Sequence, residues 1–368
     1  MSDAMFSPMY RQFRELKQRY PGVLLLFRLG DFYEMFEDDA ETAARALELT
    51  LTSREMGKGR RVAMCGIPYH ALDRYLPRLV RQGLRAAICE QVEDPKQARG
   101  LVRREVVRVV TPGTLTEETM LEAAANNYLV ALADAPRQFA LAVIDVSTGH
   151  FQVTELSGDD ARARLLDELE RLQPAELLWP LTMQAAPDLR EVIEQQVGAA
   201  ITMVDGVDAD PATARALLCR HFGVASLHGY GLEEAPLQVQ AAATALRYVS
   251  ETQADAAVHI VGLASYQTSA FMSLDAATRR NLELTLTLRE GSPGKGTLLW
   301  LLDETCTPMG ARLLRSWLVR PLHQPEPIET RLEAVAACHR DILLRDDLRA
   351  GLHKVADLER LLSKAATG

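Results

Sequence analysis

The sequence predicts an α/β multidomain protein: a mixed α/β domain, a second α/β sheet domain, and then the start of an all-helical region. Three observations carry this prediction. Residues 1–115 alternate apolar runs of strand length with segments of helical spacing. Residues 116–255 set three strand-like runs ahead of alternating helices, the order of an α/β sheet domain. Residues 256–368 are chiefly helical in pattern. The 368 residues accommodate two or three domains of ~100–200 residues. A composition of 48% hydrophobic and 25% charged residues is that of a globular chain with a sizeable core.

Met9, Phe13, Leu16 and Tyr20 recur at helical spacing over 8–20, and Pro21-Gly22 ends that helix. Val23 to Arg28 and Phe32 to Phe36 read as strands joined by a turn at Gly30-Asp31. Asp38 and Asp39 stand where an N-cap and an acidic first turn belong, ahead of a helix running to Leu49. Strands at 50–53 and 61–64 enclose a loop with Arg54, Lys58, Gly59 and Arg60. A helix over Asp73 to Gln82 ends at Gly83, and Pro77 within it predicts a late start or a kink. Strands near 85–90 and 105–110 flank a polar, Arg-bearing loop, and Thr111-Pro112-Gly113-Thr114 reads as a boundary.

The second domain begins with strands at 128–133, 139–146 and 150–156, the last two joined by Ser147-Thr148-Gly149. Helices follow at about 160–172, 187–196, 211–222 and 236–253, with a short strand at 176–179. From about 254 onward, long helical segments are predicted at 296–318 and 327–340.

The 41 basic and 50 acidic side chains give a formal charge of −9, which over the whole chain argues against a nucleic-acid partner. The distribution is uneven. Residues 1–115 hold 19 basic and 15 acidic side chains, residues 116–368 hold 22 and 35, and the segment 51–108 alone holds 13 and 6. A basic face on one domain of an acidic protein has this signature. No apolar run approaches the ~20 residues that cross a bilayer, and no secretion signal stands at the N-terminus. The five cysteines (65, 89, 219, 306 and 338) lie far apart without metal-ligand spacing and read as buried thiols of a cytoplasmic protein.

Gly294-Lys295-Gly296-Thr297 has the wrong order for a phosphate-binding loop, and no other catalytic motif is found. Asp145, on the first hairpin of the second domain, stands where a two-metal nuclease would hold its first carboxylate. Asp159, Asp160 and Glu176 are the available partners, and a metal-dependent nuclease centred on Asp145 is one alternative reading.

Gly30-Asp31-Phe32-Tyr33-Glu34 is the most informative segment. On a strand, Phe32 and Glu34 share one face while Tyr33 and Met35 share the other. A ring beside a carboxylate is a poor core pair, because an unpaired buried charge is costly. That face is therefore predicted to be exposed, with Phe32 free to wedge between bases and Glu34 to hydrogen-bond a base edge. Arg54, Arg60, Arg103 and Arg108 are candidates for the phosphate backbone, and Asp31, Pro68 and His70 are further candidate contacts around the loops.

These residues also carry a resemblance. Gly30-Asp31-Phe32-Tyr33-Glu34, Gly66-Ile67-Pro68-Tyr69-His70, Ala87-Ile88-Cys89-Glu90-Gln91, Val106 to Thr114, Leu274 to Glu283 and Thr307-Pro308-Met309-Gly310 resemble the MutS family of bacterial DNA mismatch-recognition proteins. The resemblance covers the whole chain, most strongly 20–115 and 270–322. It implies a mismatch-recognition domain over 1–115, a ribonuclease-H-like connector domain over 116–255 and a partial helical core or lever domain over 256–368. It also implies that Phe32 stacks on a mispaired or unpaired base from the minor groove while Glu34 hydrogen-bonds it. The implied partners are double-stranded DNA with mismatches or small loops, and a MutL-type protein docked on the connector. The family's clamp and its ATPase domain, with its ATP and Mg2+ and most of the homodimer contacts, would lie beyond Gly368. No catalytic residue is therefore expected in this chain. A protein-interaction scaffold without DNA binding is the other alternative.

Overall fold

The computed structural model describes residues 6–57, 59–93, 102–183, 187–205, 210–289, 291 and 294–367. The chain divides into two compact units, one of residues 1–114 with 251–253 and one of 115–250 with 254–368. Apart from residues 251–253, the regions expected as connector and helical core both lie in the second unit. Lys58 and most of the Arg-bearing loop before residue 102 fall outside the described residues.

The first unit runs α1 (Pro8–Arg19), β1 (Leu24–Leu29), β2 (Phe32–Phe36), α2 (Asp38–Leu47), β3 (Thr52–Glu55), β4 (Arg61–Pro68), α3 (Leu72–Arg81), β5 (Ala86–Gln91) and β6 (Arg104–Val110). The strands form one sheet in the order β3-β4-β2-β1-β5-β6, parallel only between β1 and β5. Strand alternation sends Leu25, Phe27, Phe36, Val62, Ala87, Cys89 and Val109 to one face, where they pack with Tyr10, Phe13 and Leu16 of α1. Phe13 meets Phe27 and Phe36 edge-on, with ring centroids 5.7 and 5.0 Å apart. The opposite face carries buried Leu24, Leu26, Tyr33, Met35 and Ile67, and packs against α2 and α3. Cys65 on that side donates its thiol to the Ala40 carbonyl of α2 at 3.3 Å.

Two local expectations are corrected. Glu37, not Asp38, occupies the N-cap of α2, with a positive φ (54°) and without a side-chain cap, and its carboxylate accepts the Tyr10 hydroxyl. Asp39 is buried, accepting Lys17 Nζ at 2.6 Å and the Leu25 amide at 3.0 Å. It lies in the acidic first turn of α2, as expected, and from there also ties three elements together. Helix α3 does not start late: it spans Leu72 to Arg81 with Pro77 buried inside it, and a short 3-10 turn at Tyr69–Ala71 leads into it.

The second unit comprises β7 (Leu129–Ala135), β8 (Gln138–Asp145), β9 (His150–Ser157), α4 (Ala161–Leu172), β10 (Glu176–Pro180), α5 (Pro187–Gln196), β11 (Ala200–Val204), α6 (Pro211–Phe222), α7 (Pro236–Thr252), α8 (Ala254–Ala257), β12 (Ala264–Ser265), α9 (Ala276–Asn281), α10 (Leu298–Leu302), α11 (Pro308–Val319), α12 (Pro325–Arg340), α13 (Ile342–Leu352) and α14 (Leu358–Thr367). Its sheet has the order β11-β10-β7-β8-β9-β12, an antiparallel β7-β8-β9 meander extended by parallel strands on both sides. Val130, Leu132, Leu141 and Val143 pack with α4 and α5. Ala131, Ala140, Ala142 and Ile144 pack with α6 and α7 on the other face. Neither β11 nor β12 was expected. The helix expected over 296–318 is two, because Thr307 caps α11 through the Gly310 amide and Pro308 occupies its first turn. Three of the five cysteines, 219, 306 and 338, are only half-buried. No described helix is long and apolar enough to cross a membrane.

Arg312 on α11 is buried and donates to Asp357 through both terminal nitrogens at 2.7 Å, to Glu359 at 2.6 Å and to the Ala123 carbonyl at 3.0 Å. Arg360 and Ser363 of α14 then reach Ser147 and the Val146 carbonyl in the turn after β8. The Arg312 guanidinium holds the Asp357 carboxyl below its ordinary value. A carboxyl lowered in the folded state stabilises above its unfolded pKa, and that contribution is lost as pH falls through the lowered value. Arg312→Met is therefore expected to destabilise the second unit by about 2–4 kcal/mol at neutral pH, leaving two carboxylates and a carbonyl without their donor. Urea titrations from pH 7 downward should show this difference shrinking once the pH drops below the ordinary aspartate value of 3.8. A pH-independent difference would contradict the assignment.

Candidate nucleic-acid interface

Phe32 opens β2 directly after a turn in which Gly30 takes φ +58°, a conformation that glycine adopts without strain. It pairs with Leu29 on one side and Pro68 on the other. Phe32 shares its sheet face with Phe36, which α1 covers, yet it remains 47% exposed while Tyr33 and Met35 on the opposite face are buried. The cover provided by α1 stops short of the strand's first residue. The expected exposure of this face therefore holds at Phe32 and ends at Phe36.

The hairpin that presents Phe32 is tied from several directions. The Tyr69 amide donates to the Asp31 carbonyl at 2.9 Å, and Arg28 Nε donates to the Gly30 carbonyl at 2.6 Å. The Arg28 guanidinium lies 3.7 Å from the centroid of the Tyr69 ring and 5.5 Å from that of Tyr33. Tyr33 donates its hydroxyl to Glu90, and burial, reinforced by that carboxylate, pushes its phenol up to about 12. A hairpin braced in this way has little backbone freedom left to lose when it meets a partner.

Glu34 lies two residues further along the same face, opposite Gly66. A Cβ on Gly66 would meet the Tyr33 carbonyl oxygen at 3.2 Å and Glu34 Cγ at 3.6 Å, so the missing side chain leaves the glutamate its room. The Glu34 side chain is only 14% exposed, and its carboxylate accepts Arg54 Nη1 at 2.9 and 3.2 Å. Burial raises the Glu34 carboxyl above its ordinary value, against the opposing pull of Arg54.

The structure gathers some of the candidate contacts and separates others. Asp31, Phe32, Glu34, Arg54, Pro68 and His70 lie on the β2 hairpin or on strands and turns bonded to it; His70 is exposed, with its ring against Tyr69. Arg60 sits in the β3-β4 turn with its guanidinium 5.2 Å from the Phe6 centroid. Arg103 pairs with Glu105 just before β6, and Arg108 lies within β6, at the opposite edge of the sheet from Arg54. Arg28, Gly66 and Tyr69 were not singled out as functional from the sequence. Gly66 and Tyr69 nevertheless stand inside the Gly66-Ile67-Pro68-Tyr69-His70 motif. Arg104, also passed over, is buried and donates to the Arg28 carbonyl at 2.7 Å and to Gln12 at 3.1 Å, joining β6, β1 and α1.

Asp145 is fully buried and accepts four hydrogen bonds: Asn126 Nδ2 at 2.8 Å, the Asn127 amide at 3.2 Å, the Ser147 amide at 3.0 Å and Ser147 Oγ at 2.6 Å. Those donors occupy both carboxylate oxygens. Glu176 accepts Thr202 and Tyr248 instead, and Asp159 pairs with Arg137. Among the described residues no group of three or more His, Cys, Asp or Glu could hold a metal ion.

Three family models match the chain: MutS domain I over residues 7–119, MutS domain II over 127–261 and MutS domain III over 277–368. Curated relatives described as DNA mismatch repair protein MutS are similar along its length. That of Symbiobacterium thermophilum is 47% identical over 100% of this chain and 42% of its own length. That of Syntrophomonas wolfei is 44% identical over 98% of the chain and 42% of its own length, and that of Thermosynechococcus vestitus 45% over 99% and 42%. The chain thus spans 42% of the length of each of these relatives.

The half-buried state of Glu34 has a measurable consequence. A carboxyl raised in the folded state destabilises once ionised, and the penalty is relieved as pH falls through the raised value. Glu34→Gln is expected to match or exceed the parent in stability at neutral pH, with the gap closing on acidification toward the ordinary glutamate value of 4.5. Thermal melts at several pH values check this, and a variant less stable at pH 7 would show that the Arg54 bond outweighs the burial.

Proposed function

Because this chain belongs to the MutS family of DNA mismatch repair proteins, we propose that its first unit reads mismatched or looped duplex DNA. In this reading Phe32 wedges from the minor groove against a mispaired or unpaired base and Glu34 hydrogen-bonds the edge of that base. The observation that carries it is the exposure of Phe32, at 47%, on a hairpin whose own other aromatic residues, Phe27, Tyr33 and Phe36, are buried.

The mechanism rests on the cost of deforming DNA. Inserting an apolar wedge unstacks a base step and kinks the duplex, at a few kcal/mol per step. A mispaired step has already lost part of its pairing, so less is spent in opening it. Phe32 converts that difference into affinity. Glu34 opposes general binding, because a carboxylate near phosphates is repelled, and offsets the repulsion only where a base edge offers it a hydrogen bond. Arg60, Arg103 and Arg108 supply the sequence-independent attraction to phosphates.

The second unit is assigned docking of protein partners, a MutL-type protein among them, and no nuclease step. Occupation of both Asp145 oxygens by internal donors speaks against the nuclease reading. ATP, Mg2+ and homodimer contacts are assigned to parts of the family outside the three matched models.

Fluorescence anisotropy with matched and mismatched duplexes across a salt series tests the proposal. Phe32→Ala is expected to remove the preference for the mismatched duplex, a loss of about 1–3 kcal/mol from base-aromatic stacking. The salt slope of matched-duplex binding should stay as in the parent, because the phosphate contacts remain. Retention of the preference in Phe32→Ala would contradict the wedge.

A further inference from the structure

Arg54 differs in geometry from the other basic residues of the first unit. One nitrogen, Nη1, donates to both oxygens of Glu34, while Nε and Nη2 find no acceptor among the described residues. Its strand, β3, is the sheet edge and is exposed along its whole length, and the side chain remains 48% exposed. A guanidinium carries five N–H donors in a fixed fork. One arm can therefore hold the carboxylate while the others meet an incoming phosphate oxygen.

We propose that Arg54 is a positioning residue for Glu34, neutralising and aiming the carboxylate while its free nitrogens take a DNA phosphate, and that it thereby sets how strongly a matched duplex is rejected. The inference rests on the mismatch reading above. With Arg54 in place, the charge that Glu34 shows a duplex is partly cancelled. Without it, the carboxylate confronts the phosphates alone. A mispaired base that hydrogen-bonds Glu34 compensates for the repulsion, whereas a paired base does not. Removal of Arg54 weakens binding to both duplexes and weakens the matched one more.

The test is a double-mutant cycle on the 368-residue chain, measuring the ratio of mismatched to matched affinity for the parent, Arg54→Met, Arg54→Lys, Glu34→Gln and the Arg54→Met/Glu34→Gln pair. Arg54→Met is expected to raise the ratio about two- to fivefold, the scale of a partly exposed ion pair. Arg54→Lys should keep the parental ratio, and Arg54→Met in the Glu34→Gln background should leave the ratio of that background unchanged. Because both duplexes are compared within each variant, a partly unfolded sample lowers both affinities and leaves the ratio intact. An equal loss on both duplexes with Glu34 present, or the same change of ratio without Glu34, would overturn the proposal and leave Arg54 a simple phosphate contact. A parent with no preference for the mismatched duplex would defeat the mismatch reading itself.

Discussion

The pleat of β2 is the constraint on which the first unit depends. Five residues alternate across one sheet: Tyr33 and Met35 go to the face beneath α2 and α3, while Phe32, Glu34 and Phe36 go to the face of α1. Phe36 is locked edge-on against Tyr10 and Phe13, which fixes the strand. Phe32, four residues earlier, inherits that rigidity and lies past the end of the helix's cover. A one-residue slip of register would bury the ring among the helices and expose Tyr33 in its place. The hairpin bonds from Tyr69 and Arg28 guard against such a slip.

Much of this was legible in the sequence, for physical reasons that differ by element. The strands at 24–29, 32–36, 86–91 and 104–110 follow from apolar runs bounded by Pro-Gly, Gly-Asp or glycine turns, and the exposed Phe32 follows from placing a ring and a carboxylate on one face. The Glu34–Arg54 pair was not legible. Twenty residues separate the partners, and only the β2-β4-β3 register brings them together, so Arg54 read as a free cation. Strand β11 is a five-residue run that pairs in parallel with β10 across helix α5, and its short pattern alone does not announce it. The break between α10 and α11 was present in the text as Thr307-Pro308, but the continuous apolar run of Leu298–Leu302 masked it. Asp39 stands in the acidic first turn of α2 as expected, and its burial as a tie was not legible because only the fold brings Lys17 and the β1 backbone against it.

Charge has to be read at the level of the unit. The overall −9 describes a chain whose acidic side chains lie mostly beyond residue 115. In the first unit several basic residues are already engaged: Arg104 holds β6 to β1 and α1, Arg28 braces the hairpin, and Arg54 faces Glu34. In the second unit, arginines serve as internal rivets, as where Arg171 pairs with Glu168 and Arg312 with Asp357. The abundance of arginine therefore reflects bidentate anchoring of carboxylates and carbonyls as much as any external anion.

The central claim is that the Phe32 ring enters the base stack only where pairing is faulty. Fluorine NMR of the chain carrying a ring-fluorinated phenylalanine at position 32, titrated with mismatched and then matched duplex, tests it most directly. A large ring-current shift of that one resonance with the mismatched duplex, absent with the matched duplex at equal saturation, is the predicted result. An identical spectrum with both duplexes would contradict the account.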